Sequence, residues 1–158
     1  MHQTMNITVV PPGGGKNFTR RDSGGEVVVK LAAETRLGSL TIYESSRRTD
    51  DRRSPGPHRH EGFEEIFYVL AGEYLFEAEG QMIKAPMGTL ISVPPGALHT
   101  FTSVGEQDGR LLVLCDPGGI ERFFEDIARH SSGLTSDTVA AIGRQHGIEF
   151  MTSPQKKD

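Results

Sequence analysis

Seven short runs with strand character, EVVVKLAAE, SLTIYES, EIFYVLAG, EYLFEAEG, TLISVP, LHTFTS and RLLVLCD, follow one another between Glu26 and Asp116, separated by Gly, Pro or charged turns. So many short strands in one stretch predict an antiparallel barrel or sandwich. Within it, VLAGEYLF reads as a hairpin turning at Ala71 and Gly72, because strand propensity is high on both sides. The first 25 residues carry too many turn formers for regular core structure and read as a loosely attached arm, in which NITVV (residues 6–10) is a candidate edge strand. A chain of 158 residues supports one core of this kind, so a single domain with tails is expected.

After Pro117 the apolar period changes. Ile120, Phe123, Phe124, Ile127 and Ala128 fall on one helical face, which should pack against the barrel. A second helix is expected from a cap at Thr135 or Ser136 through Val139 and Ile142 to a stop at Gly147, and the tail 151–158 reads as disordered. The expected organisation is therefore an arm over 1–25, a barrel over 26–116, a helical segment over 117–150 and a tail.

A net charge of −4, with Arg47, Arg48, Arg52 and Arg53 interrupted by Asp50 and Asp51, gives no basic face for nucleic acid. The longest apolar run, Ile66 to Ala71, is far short of the roughly 18 residues of a membrane-spanning helix, and the N-terminus lacks the apolar core of a signal peptide. A cytoplasmic protein with neither nucleic-acid nor membrane partners is expected. The lone Cys115 cannot form an internal disulfide and reads as a buried small hydrophobe. The Gly13–Gly15 run lacks the strand-to-helix context of a phosphate loop, and His2, His130 and His146 lie at a terminus or at helix ends.

His58 and His60 are different, because residues two apart on a strand point to the same face. Two imidazoles projecting together suit a borderline metal ion, and either Glu64 or Glu65 is near enough to add a carboxylate oxygen. Downstream, His99 follows a Pro-Pro-Gly turn that would aim a third imidazole from a neighbouring strand.

These residues resemble the two motifs of the cupin superfamily. The first is matched by His58, His60, Glu65 after four residues and Gly72 after six more, and the second by Gly88, Pro94, Gly96 and His99 at the family's intervals. Two positions depart from the pattern, Arg52 where the family has Gly and Ser103 where it has Asn. The resemblance implies an all-β jelly-roll barrel, or double-stranded β-helix, with the C-terminal helices packed on it. It also implies one divalent transition metal ion per chain, whether iron, manganese, nickel, cobalt or zinc, held by His58, His60, Glu65 and His99. The six-residue interval to Gly72 selects Glu65 over Glu64, which then faces the other way. Strand alternation sends Phe67, Val69 and Phe101 inward; the two phenylalanines are candidate substrate-pocket residues, whereas Val69 reads as barrel filling.

The ending FFEDIAR...AAIGRQHGIEF is similar to tails of quercetin dioxygenase-like cupins. That similarity implies a metal-dependent dioxygenase-like oxidoreductase acting on a small aromatic or enolic molecule, with Glu65 holding the ion and exchanging a proton during turnover. A non-redox isomerase, decarboxylase or lyase would use the same residues, and a non-catalytic small-molecule-binding cupin is a further alternative. A homodimer is implied as well, with the N-terminal arm a candidate for exchange.

Overall fold

Every second side chain in the apolar runs meets a common interior, and that alternation makes them strands. In the computed structural model, residues 7–20, 25–33, 40–130 and 134–151 are described. They form strands β1 (Lys16–Arg20), β2 (Gly25–Leu31), β3 (Thr41–Arg47), β4 (His58–His60), β5 (Glu64–Ala71), β6 (Glu73–Ala78), β7 (Gln81–Pro86), β8 (Leu90–Val93), β9 (His99–Val104) and β10 (Gly109–Asp116). Helices α1 (Glu121–Arg129) and α2 (Ser136–Gln145) follow, and strand β11 (Ile148–Phe150) ends the described chain. Alternation is plainest in β3, where Thr41, Tyr43, Ser45 and Arg47 are buried and the residues between them are half-buried. Among the described residues no helix is long and apolar enough to cross a membrane.

The strands make two antiparallel sheets, ordered β1-β2-β3-β10-β5-β8 and β11-β4-β9-β6-β7. Their inner faces enclose one core, in which Phe67, Tyr74, Phe76, Leu111 and Val113 are fully buried, giving the expected jelly-roll architecture. Both helices are where the sequence places them. Thr135 caps α2 by accepting from the Thr138 amide at 3.2 Å. On α1, Ile120, Phe123, Phe124 and Ile127 are buried, each worth about 1.5–3 kcal/mol of transfer free energy. The Phe124 ring meets Tyr43 edge-on at 5.1 Å, so the helix covers one end of the barrel.

Three expectations need correction. VLAGEYLF is not a hairpin, since β5 pairs with β10 and β8 whereas β6 pairs with β7 and β9. Gly72 is instead a corner between sheets: its φ is 71°, and a Cβ there would lie 2.8 Å from the Asp108 carbonyl oxygen. Strand propensity on either side of a turn does not distinguish the two. The arm does supply an edge strand, but from Lys16–Arg20 rather than NITVV; residues 7–10 take no strand conformation, and Asn6 lies outside the described residues. Strands β7 and β11 lie outside the seven runs with strand character. Met82 and Lys84 leave β7 without clear alternation, and β11 has only three residues. Residues 152–158 of the expected disordered tail lie outside the described residues.

Helix α1 is tied to the barrel by the buried carboxylate of Glu121, which accepts from Thr41 Oγ1 at 2.6 Å, the Ala33 amide at 2.9 Å and the Gly119 amide at 3.1 Å. Removing it leaves the buried Thr41 hydroxyl and the part-buried Ala33 amide without their acceptor, while the Gly119 amide keeps Thr41 Oγ1 at 2.9 Å. Glu121→Ala is expected to cost about 2–3 kcal/mol, read as a lower midpoint in urea at unchanged slope; an unchanged midpoint would show that these bonds contribute nothing net.

Candidate metal centre

The His-x-His stretch forms the short strand β4, flanked by β9 and β11. His58 lies opposite His99 on β9, while Ile148 and Phe150 of β11 lie opposite His60 and His58. Alternation turns both histidines inward and leaves Arg59 outside, where it pairs with Glu149 at 3.1 Å. The Pro94-Pro95-Gly96 turn is held against β4 by the Gly96 amide, which donates to the His60 carbonyl at 2.9 Å and so couples the two motifs. Glu65 comes from β5 of the facing sheet. Three imidazoles from one sheet therefore meet one carboxylate from the other, all four buried, with one candidate ligand atom from each within 4.8 Å of all the rest.

The hydrogen bonds choose which imidazole nitrogens face inward. His58 Nδ1 lies 2.9 Å from Gly56 O, His60 Nδ1 2.9 Å from Phe63 O, and His99 Nδ1 3.0 Å from Ala97 O. A carbonyl oxygen accepts only, so each Nδ1 carries its proton and each neutral ring presents an Nε2 lone pair. His60 Nε2 and His99 Nε2 lie 3.0 and 3.3 Å from Glu65 Oε2. Lone pairs facing a carboxylate need a cation between them, either a proton or a metal ion. By donor type, tautomer and spacing, the residues fit a divalent transition metal. Phe63 stacks on His60 with centroids 3.9 Å apart, and Phe150 lies 5.2 Å from His58, fixing the rings from behind.

The electrostatics agree with this arrangement. Burial alone would raise the Glu65 pKa, but its contacts with His60 and His99 outweigh it and hold the carboxyl below the usual carboxylate range. Burial, helped by the field of His99, pushes His58 down to about 4, so that ring is neutral near pH 7. Burial also works against the charged form of His99, yet the Glu65 hydrogen bond and charge raise its pKa overall. The Tyr43 hydroxyl donates to Glu65 Oε1 at 2.8 Å, and burial followed by Glu65 keeps that phenol protonated. Cys115 is buried with its thiol pushed up by burial, as expected of an inert residue.

A pH dependence follows with a definite sign. A raised pKa keeps His99 protonated to a higher pH than an ordinary imidazole, and a bound ion must displace that proton. Metal affinity is therefore expected to fall by about tenfold per pH unit as pH drops below the raised His99 value, and more steeply near pH 4, where His58 also protonates. Calorimetric titration with Zn(II) across this range measures it, and an affinity indifferent to pH would contradict His99 as a protonated group that the ion displaces.

A cavity of about 50 Å³ opens beside the cluster, lined among others by His58, Glu65, Tyr43, Phe101, Phe123 and Phe150. Phe101 is thus on the cavity wall, as expected. Phe67 points inward but lies deeper, against Phe76 at 5.1 Å and Phe101 at 5.2 Å, and Val69 is barrel filling. Glu64 faces away and accepts from Ser92 Oγ. Of the remaining histidines, His146 pairs with Asp126 at 2.7 Å, His130 Nδ1 lies 2.8 Å from the Asp126 carbonyl, and His2 is outside the described residues. The two positions that depart from the motif meet each other: the Arg52 guanidinium donates to the Ser103 carbonyl at 3.5 Å and also to Gly105 O. An arginine side chain thereby spans loop and strand where the family has glycine and asparagine.

Comparisons with known proteins agree with this picture. Residues 50–115 match the family model described as Cupin domain. Over 61 residues the chain is 33% identical to an oxalate-binding protein of Thermotoga maritima, a match covering 39% of this chain and half the length of that protein. A solved structure from Thermotoga maritima described as a predicted oxalate decarboxylase superposes with a TM-score of 0.60 at 24% identity, over 68% of this chain and 97% of that one. A cupin from Shewanella frigidimarina described as RmlC-like gives 0.59 at 16% identity, over 77% and 99%.

Proposed function

We propose that the buried His/Glu cluster of this chain, whose residues 50–115 match the cupin domain model, works as a mononuclear metal centre, and that the protein is an oxidoreductase of dioxygenase type acting on a small enolic or aromatic molecule. The observation carrying this reading is the convergence of three buried imidazoles on one carboxylate, two of them with Nε2 against Glu65 Oε2, beside an aromatic-walled cavity.

In this reading His58, His60 and His99 hold the ion through Nε2 and Glu65 holds it through a carboxylate oxygen. An ion with these four ligands and further open positions supplies Lewis acidity toward a substrate oxygen and, if redox-active, electron transfer with dioxygen. The side chains do the rest. Phe101, Phe123 and Phe150 keep bulk water from the cavity, which strengthens electrostatic interactions inside it. Tyr43 steadies Glu65 through Oε1, the atom at which proton exchange with a substrate hydroxyl is proposed. Oxygen uptake stoichiometric with substrate loss is the expected assay result, and turnover that continues unchanged without oxygen rejects the assignment.

A second reading is favoured by the likeness to an oxalate-binding protein and to a predicted oxalate decarboxylase. Here the same ligands hold the ion for non-redox carbon–carbon chemistry or for ligand binding alone. Activity of the Zn(II)-loaded protein without oxygen selects the first of these, and recovery of an unmodified ligand selects the second. A homodimer is the proposed assembly, and a monomer mass by light scattering rejects it.

A further inference from the structure

Arg47 sits on the inner face of β3, two strand steps from Tyr43, and lines the same cavity as His58 and Glu65. It is 4% exposed, and among the described residues no carboxylate contacts it; Asp51, paired with Arg53, acts on it only through space. A buried guanidinium without a counter-ion is expensive, so its retention calls for a reason.

The donors show which edge is available. Nη1 donates to Ser45 Oγ at 3.2 Å and to Ser46 O at 3.0 Å, whereas Nε and Nη2 have no acceptor among the described residues. Nε and Nη2 form the side of the fork that grips both oxygens of a carboxylate. The chain uses this edge elsewhere, since Arg48 gives Nε and Nη2 to Asp50 at 2.9 and 2.6 Å. The bond to Ser45 leans the guanidinium back along the strand toward Tyr43, and one strand step of two residues is about 6.8 Å.

Space for the group is built in. The residues opposite Arg47 on both neighbouring strands are glycines, Gly25 on β2 and Gly109 on β10. A Cβ on Gly25 would lie 1.5 Å from Nη1, and one on Gly109 would strike the Tyr74 hydroxyl and Ser103 Oγ at 2.5 and 2.6 Å. Those two hydroxyls are buried and have no hydrogen-bond partner among the described residues. This end of the barrel is therefore polar and cationic, with no carboxylate in contact with Arg47 among the described residues, while Phe101, Phe123 and Phe150 give the cavity apolar walls between Arg47 and the His58/Glu65 side.

We propose that Arg47 is the carboxylate anchor of this cavity, and that the molecule bound beside the His/Glu cluster is a small organic acid: its carboxylate lies on the Nε–Nη2 edge and a second oxygen faces the cluster. The proposal rests on the reading of cluster and cavity as one ligand site, and it narrows the substrate class to acids of a few carbons. It holds for oxidative and non-redox chemistry alike.

Pyruvate and its neutral methyl ester, titrated calorimetrically into the full-length chain, test it in the chelator-treated and Co(II)-loaded forms. The wild type is expected to bind pyruvate in both forms and the ester much more weakly. Arg47→Gln should weaken pyruvate binding by at least about tenfold in both, with Arg47→Lys intermediate because it keeps charge without the fork. Melting temperature separates this from a structural role, because removing a buried cation that no described carboxylate contacts should leave it unchanged or raise it. Equal pyruvate affinity in wild type and Arg47→Gln, an ester that binds as tightly as the acid, or no pyruvate binding by either form of the wild type would each overturn the proposal. Cobalt content is read separately: a chain that holds no cobalt refutes the metal reading, and the metal-free titration still decides the role of Arg47.

Discussion

His99→Ala protein is expected to emerge from purification essentially free of metal, with an affinity for divalent ions more than about 100-fold below wild type, since loss of an outer partner to a ligand already costs 10–100-fold. The size follows from the geometry. His99 is opposite His58 across the β4–β9 pair, and its Nε2 is one of the two nitrogens against Glu65 Oε2. Without it, His58, His60 and Glu65 still converge, but one of the two imidazoles supporting the buried carboxylate is gone. Fold should survive, because the substitution empties space beside a polar cluster and leaves the phenylalanine layer below in place. Elemental analysis with far-ultraviolet circular dichroism reads both quantities. Wild-type metal content in a folded variant would remove His99 from the ligand set. The companion variant His60→Ala should behave alike, since His60 makes the other contact to the carboxylate.

The four candidate ligands were legible because their spacing is imposed by geometry that leaves a mark in the chain. Two imidazoles on one strand face need one intervening residue, and a third arriving after a tight turn needs Gly and Pro in a fixed order. Their supports were not legible, because they reach the site through long-range pairing. Tyr43 is 22 residues from Glu65 and Phe150 more than ninety from His58, and neither carries a local signal of the contact it makes. Arg47 is the instructive case. In SSRRTDDRR it reads as one of a group of solvated charges, yet the period-two register of Thr41, Tyr43 and Ser45 continues onto it and turns it inward, while Arg48 pairs outside with Asp50. Extending the alternation by one step would have found it. Phe67 shows the opposite limit: alternation puts it inside the barrel but does not say at which depth, and it packs in the layer beneath the cavity. The same limit explains the corner at Gly72, where local propensity describes both flanking strands but not which sheet each joins.

That phenylalanine layer carries the second large effect. Phe76 is fully buried, with Phe67 at 5.1 Å, Phe101 at 5.4 Å and Tyr74 at 6.3 Å around it. Phe76→Ala removes the ring on which these three converge and leaves a cavity that a barrel closed by hydrogen-bonded strands cannot collapse to fill. A cost of about 3–5 kcal/mol is expected, which for a domain of this length lowers the melting temperature by about 10 °C. The site should feel this weakly. The Phe67 and His99 ring centroids are 6.2 Å apart, but the orientation of His99 is set locally by the Ala97 carbonyl, which the substitution does not touch. Metal affinity in the folded variant is thus expected within about tenfold of wild type, well short of the effect of removing a ligand. Phe76→Ala and His99→Ala should consequently give opposite signatures, one losing stability and keeping the ion, the other losing the ion and keeping the fold. Metal loss in Phe76→Ala at an unchanged melting temperature would mean that the phenylalanine layer, rather than the backbone carbonyls, sets the geometry of the donors.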